Sequence, residues 1–157
     1  MLRQKTERRI DIRRPSQADW DALLAVLRTA NFDAIGSKEM PAFSLDECFV
    51  AVAEGMIVGV GGYRILDTDT GKTTLLAVDP EWRGQGVGNR LQNARLELMK
   101  AAGVKRIYTN ADDEAVISWL ERRHGFRKTG ERIAKLHSFG RTDKDHWVNM
   151  VWEAPSP

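Results

Sequence analysis

The chain has one cysteine, Cys48. A single thiol excludes a disulfide framework and any cysteine-based zinc site, and it suits a reducing, cytoplasmic setting. No metal site is expected. No run of 18 apolar residues occurs, and the opening MLRQKTERRI lacks the apolar stretch of a signal peptide, so no membrane partner is expected. Charge of one sign is also not in excess: 24 Lys+Arg stand against 22 Asp+Glu, for a formal net charge of +2. Residues 1–14 do gather Arg3, Lys5, Arg8, Arg9, Arg13 and Arg14 against Glu7 and Asp11. Without a helix-turn-helix pattern, that cluster and an isoelectric point near 8.8 do not make a nucleic-acid protein. Repeats, linkers and low-complexity stretches are missing too. What remains, 157 residues at 42% hydrophobic, is expected to be a basic extension over residues 1–8 and one domain over 9–153.

Hydropathy periods set out the elements. Arg9–Arg13 alternates as a strand, and Ser16 with Asp19 caps a helix whose stripe is Trp20, Leu23, Leu24 and Leu27. Residues 31–47 have no clean period and read as a long loop or broken helix on the substrate side. Phe49–Val52 and Ile57–Val60 form a hairpin across Glu54-Gly55, and after a turn over 67–72 a third strand runs Thr73–Val78. Val87, Leu91, Ala94, Leu98 and Ala102 then recur at helical spacing up to Gly103. Val104–Thr109 is a strand. A helix from about Asp113 to Gly125 buries Val116, Trp119 and Leu120, and two β segments follow at 127–137 and 146–152. The order β-α-(loop)-β-β-β-α-β-α-β-β predicts an α/β fold, a mixed sheet with helices against it.

The most informative stretch lies where the third hairpin strand passes to the long helix: Val78-Asp79-Pro80-Glu81-Trp82-Arg83-Gly84-Gln85-Gly86-Val87-Gly88-Asn89. Alternate glycines let backbone approach a ligand, and the first helical N–H groups with the helix dipole make an anion site suited to a pyrophosphate. Arg83 can add a charge-assisted contact. A dinucleotide fold needs G-x-G-x-x-G, and a P-loop needs Gly-Lys-Ser/Thr; neither spacing is present. A glycine turn without a ligand is the plain alternative.

Arg83-x-x-Gly86-x-Gly88 after Val-Asp-Pro resembles the acetyl-CoA signature of the GNAT N-acetyltransferase superfamily. The resemblance extends from about Arg9 to Trp152 and includes Gly125-Phe126 after a short helix. It implies a GNAT fold, acetyl-CoA as cosubstrate and transfer to a primary amine of a small molecule or peptide by direct attack. It also leaves a homodimer open, because such proteins commonly dimerise. It implies that the strand before the signature splays from the next one. The backbone of Leu76, Ala77 and Val78 would then pair with pantetheine, with the Val78 N–H serving the thioester oxygen. Gly84 belongs to the same turn. Amides of Gln85, Gly86, Val87, Gly88, Asn89 and Arg90 would hold the pyrophosphate, and Asn110 would add a polar cofactor contact. For Asn110 the competing reading is a plain helix entry capped by Asp112 or Asp113.

One slot departs from the family. The tyrosine that often serves as acid four residues before Gly-Phe is Glu121 here, beside Leu120, and the two tyrosines, Tyr63 and Tyr108, fall in strands. General acid and base are therefore unassigned. Glu39, Asp46, Glu47, Asp112, His137 and His146 are candidate bases, each with a bland packing or surface reading. Cys48 reads as a small core residue. Arg122 and Arg123 read as a solvated face that could also reach CoA phosphates, and Trp82 as a cover at the site edge. The missing tyrosine supports one rival, a GNAT-like module that holds acyl-CoA without transfer.

Overall fold

The computed structural model describes residues 9–32, 44–136 and 140–156. The basic extension, most of the loop at 31–47, Glu39, His137 and Ser138 lie outside the described residues. Ten elements follow the expected order: β1 Asp11–Arg13, α1 Trp20–Arg28, β2 Cys48–Ala53, β3 Met56–Ile65, β4 Thr70–Val78, α2 Val87–Ala101, β5 Arg106–Ala111, α3 Glu114–His124, β6 Arg127–Ala134 and β7 His146–Glu153. They build one seven-stranded sheet in the order β1-β2-β3-β4-β5-β7-β6, antiparallel except for β4 with β5.

Local chemistry explains the boundaries. Ser16 and Asp19 form a capping box on a short 3₁₀ turn that leads into α1. Glu54 and Gly55 both have positive φ, 52° and 75°, the conformation of a type I′ hairpin. Asp113 caps α3 by accepting from the amides of Ala115 and Val116. Two expectations move. The turn at 67–72 is shorter, because the Asp67 carboxylate accepts from the amides of Asp69 and Thr70 and the strand begins at Thr70. Val104 is not in β5. Its amide donates to Met99 O and closes the end of α2, with Gly103 at φ 89°.

The sheet is covered on both faces. α1 packs Leu23, Val26 and Leu27 on Val50, Val60, Leu75 and Ala77. On the other face α2 and α3 bring Leu96, Met99, Ile117 and Leu120 to Ile107, Phe126 and Met150. The buried stripes differ from those expected. In α2 it is Val87, Leu91, Gln92, Arg95, Leu96 and Met99 that are buried, not Ala94, Leu98 and Ala102. In α3 Ile117, Leu120 and His124 turn inward while Val116 is 41% exposed. Trp20, Leu24 and Trp119 are half-buried. Trp82 is 3% exposed and belongs to the core with Val87 and Leu91, so it does not cover the site edge. Cys48 is fully buried, which pushes its thiol up to about 11.

Candidate active site

β4 and β5 pair only through Thr70–Arg106, Gly71–Ile107 and Lys72–Tyr108. Beyond that vertex, which the hydroxyls of Thr73 and Thr109 bridge at 2.5 Å, the strands diverge. A bulge in β4 accompanies the split: between Gly61–Leu76 and Tyr63–Thr73, two residues of β4 oppose the single Gly62. Such a bulge frees carbonyls, and Arg95 from α2 takes them. Its guanidinium donates to Gly62 O (2.9 Å) and Leu75 O (2.7 Å), and its Nε to Gln92 Oε1 (2.8 Å). Burial pulls this arginine down to about 9, so it remains charged at neutral pH.

The alternation of an antiparallel ladder then fixes which amides face the cleft. Asp79 N donates to Val58 O, so Val58–Asp79 is a hydrogen-bonded pair and Gly59–Val78 is not. Counting back, Ala77 bonds Val60 on β3, whereas the backbones of Val78 and Leu76 point to the open side. The expectation for Ala77 is corrected accordingly: its backbone groups are spent within the sheet.

The cleft continues into a cavity of about 540 Å³ lined by residues including Phe32, Lys72, Leu76, Tyr108, Asn110 and Trp147. The glycine turn lies beside the Val78 end of β4. Gly84 and Gly86 have φ of 76° and 83°, with open space where a Cβ would stand, whereas Gly88 has ordinary φ and a Cβ there would meet only Val78 Cγ2 at 3.7 Å. Gly86 caps α2 without a side chain. The amides of Val87, Gly88 and Asn89 find no backbone acceptor among the described residues, the ordinary state of an uncapped helix start. Arg90 departs from expectation. Its amide already donates to Gly86 O (3.1 Å), and its guanidinium holds Ile10 O. The exposed Arg83 donates weakly to Val78 O (3.4 Å), and Gln85 to Glu81 O (3.3 Å). The Asn89 side chain meets His124 Nε2 at 3.1 Å.

Asn110 is on the cavity wall, its Oδ1 accepting from Asn149 Nδ2 at 2.9 Å. Among the candidate bases within the described residues, only Asp112 lines the cavity, and it is engaged: Lys135 Nζ (2.8 Å) and the Arg141 amide (2.7 Å) both donate to it. Glu47 pairs with Arg64, and His146 with Asp145. Asp46 is exposed, as are Glu121, Arg122 and Arg123. Sequence reading missed Lys72, Arg95, Tyr108 and Asn149 as cavity residues. The polar pair Gln92 and Arg95, three apart on an otherwise apolar face, is the one signal that could have been found. Among the described residues no group of three His, Cys, Asp or Glu could hold a metal, and no helix is long and apolar enough to cross a membrane.

A split sheet with an anion-ready glycine turn beside the end of β4 is the architecture of acyl-CoA N-acyltransferase folds. The comparisons agree. The Acetyltransferase (GNAT) family profile matches residues 18–126, and the chain belongs to that family. It is 31% identical over 114 residues to an amino-acid acetyltransferase of Pseudomonas fluorescens, covering 69% of this chain and 26% of that protein. It is 41% identical over 54 residues to N-alpha-acetyltransferase 30 of Schizosaccharomyces pombe, covering 33% of this chain and 36% of that one. The chain thus spans about a quarter to a third of the curated relatives it matches. In fold it is similar to Rv2747 from Mycobacterium tuberculosis, solved in complex with CoA, with TM-score 0.67 at 18% identity over 92% of this chain and 99% of that one.

Proposed function

We propose that this chain transfers an acetyl group from acetyl-CoA to a primary amine by direct attack, with residues 9–153 acting as one catalytic domain. The observation that carries the reading is that the open amides of Val87–Asn89 and the outward backbones of Leu76 and Val78 border one cleft. Acetyl-CoA fits such a set: a diphosphate needs N–H donors at a helix start, and an extended amide-bearing arm needs an unpaired strand edge. Gly84, Gln85, Gly86, Val87, Gly88 and Asn89 would hold the pyrophosphate, with Arg83 beside it. Leu76 would hold the arm, and the Val78 N–H would stabilise the negative charge developing on the thioester oxygen. Asn110 presents its amide from the opposite wall.

The thioester supplies an activated acyl carbon. The amine nitrogen bonds to that carbon, the carbon–sulfur bond breaks, and the amine proton leaves to cavity water. No lining carboxylate is free to take it among the described residues. Holding amine and thioester together supplies most of the rate. Glu121 is exposed and outside the cavity lining, so the departing thiolate leaves without a side-chain acid. The reading includes a reducing cytoplasmic setting, which the buried Cys48 suits. Release of free thiol from acetyl-CoA across a panel of amines tests it. Amine-dependent release with a matching acetylated product is expected, and tight acetyl-CoA binding with no release under any amine would show a module that only holds acyl-CoA.

A further inference from the structure

The acceptor side of the cavity has a charge pattern that the transfer chemistry does not use. Strand alternation and register put Arg64, Lys72, Tyr108, Asn110, Asn149 and Trp147 on one face of the sheet, the face that α1 covers. Arg64 and Lys72 are direct cross-strand partners, a like-charge neighbourhood that costs energy unless anions balance it. One carboxylate, Glu47, balances one cation, Arg64, at 3.1 Å. Lys72 is half-buried in the cavity wall and has no ion-pair or hydrogen-bond partner among the described residues. The carboxylate on the cavity wall among the described residues, Asp112, is committed to Lys135 and the Arg141 amide.

Around Lys72 the unspent groups are donors. Tyr108, its partner across the β4–β5 vertex, lines the same cavity. The amide chain is directional: Thr129 Oγ1 donates to Asn149 Oδ1 (2.9 Å), and Asn149 Nδ2 to Asn110 Oδ1 (2.9 Å). That leaves the Asn110 NH₂ to donate outward. Burial, then the Arg64 charge, hold the Lys72 ammonium below its ordinary pKa, a sign that the folded chain itself does not compensate this cation.

We infer that Lys72, with Tyr108 and Asn110 as neighbouring donors, is the acceptor's anion site, and that the acceptor amine is a free amino acid held through a carboxylate. Lys72 and Leu76 line the same cavity and, because two residues of β4 oppose the single Gly62, lie about three strand rises, roughly 10 Å, apart along β4. This inference rests on the transferase reading above and names the acceptor class for it.

The test compares each free amino acid with its uncharged counterpart: Asp and Glu against Asn and Gln, and each α-carboxylate against its amide. Tripeptides beginning with the same residues form a third arm. A hydrogen-bonded charge pair is worth about tenfold or more, so acids are expected to exceed their neutral counterparts by at least about that factor in kcat/KM. Lys72→Met should remove the gap through KM, and Lys72→Arg should keep part of it. Calorimetry on the CoA-saturated protein with the amino acids and amides reads the same contact without turnover, so failure of transfer and failure of the anion site are separable. Equal handling of acids and amides, or a uniform loss in Lys72→Met across all acceptors, overturns the assignment. A preference confined to peptides with an acidic first residue overturns the free amino acid.

Discussion

At the scale of single residues, two glycines of the glycine turn do different physical jobs. Gly86 has φ 83°, where a side chain is strained however much space surrounds it. Gly88 is helical and open. Gly86→Ala should therefore cost about 1 kcal/mol of stability. Gly88→Ala should gain about 0.5–1 kcal/mol through helix propensity alone, because its Cβ meets only an ordinary contact at 3.7 Å. Chemical denaturation of both variants checks this; equal and opposite effects to these would mean that the turn's backbone is not what holds Gly86 in place. Glu121 is the second residue-scale case. The sequence leaves it in the slot where relatives often carry an acid, and the structure puts it on the exposed side of α3 next to Leu120, which is buried. Among the described residues Glu121 is not part of the cavity lining, so its carboxyl is not placed to reach the departing sulfur. Glu121→Gln is thus expected to keep at least about a third of kcat/KM between pH 6 and 9.5, since nothing but a solvated charge is removed. A hundredfold loss with the alkaline limb abolished would make it the acid.

At the scale of elements, the sequence carried the strands and helices because their periods switch cleanly, and it carried the glycine turn because only glycine suits that backbone. It did not carry the inward face of α2. Apolar periodicity cannot nominate Gln92 and Arg95, yet these are 0% and 4% exposed, since the β4 bulge leaves the carbonyls of Gly62 and Leu75 in need of a donor. It could not separate Ala77 from Leu76 and Val78 either, because which amides face the cleft depends on register with β3. That distinction is measurable. On acetyl-CoA binding, hydrogen exchange should slow at Leu76 and Val78 and change little at Ala77, which β3 already protects. Slowing at Ala77 alone would put the arm elsewhere.

His124 gives an element-scale pH dependence. It ends α3, stands edge-on to Trp119 with ring centroids 4.5 Å apart, and meets Asn89 at the start of α2. Burial lowers its pKa from 6.5, with Arg95, Lys100 and Arg123 adding repulsion. A base lowered in the fold binds fewer protons there than in the unfolded chain. Stability is therefore unaffected above about pH 6.5 and is lost as pH falls from there through the folded value. The drop in melting temperature between pH 7.5 and 5.5 should be smaller in His124→Gln than in the wild type. An unchanged drop would assign the acid sensitivity to other groups.

At the scale of the whole molecule, the sheet is two blocks joined at a short seam. β1–β4 and β5–β7 share three residue pairs and the Thr73–Thr109 hydroxyl contact before they diverge, and α2 is the helix whose side chains pack toward both. The family resemblance implied this division, but the hydropathy pattern by itself did not show it. Strand periods say nothing about where two parallel strands stop pairing, and the Lys72, Tyr108, Asn110 and Asn149 wall exists only because β7 inserts between β5 and β6. A ligand that lies in the split and anchors on the first turn of α2 bonds to groups the folded chain leaves open, so it binds the native state alone. At about 100 times its dissociation constant acetyl-CoA should then add about 2.7 kcal/mol of stability, roughly 5–11 °C in melting temperature for a chain of this size. Gly86→Val blocks the backbone approach and should weaken binding at least tenfold, about 1.4 kcal/mol, so the variant's own shift at the same acetyl-CoA concentration falls to about half or less. Each protein is read against its own ligand-free melting point, because the valine at positive φ lowers stability without any ligand. Equal shifts in the two proteins would mean that the pyrophosphate does not sit on the glycine turn, and the split would have to hold its ligand by other groups.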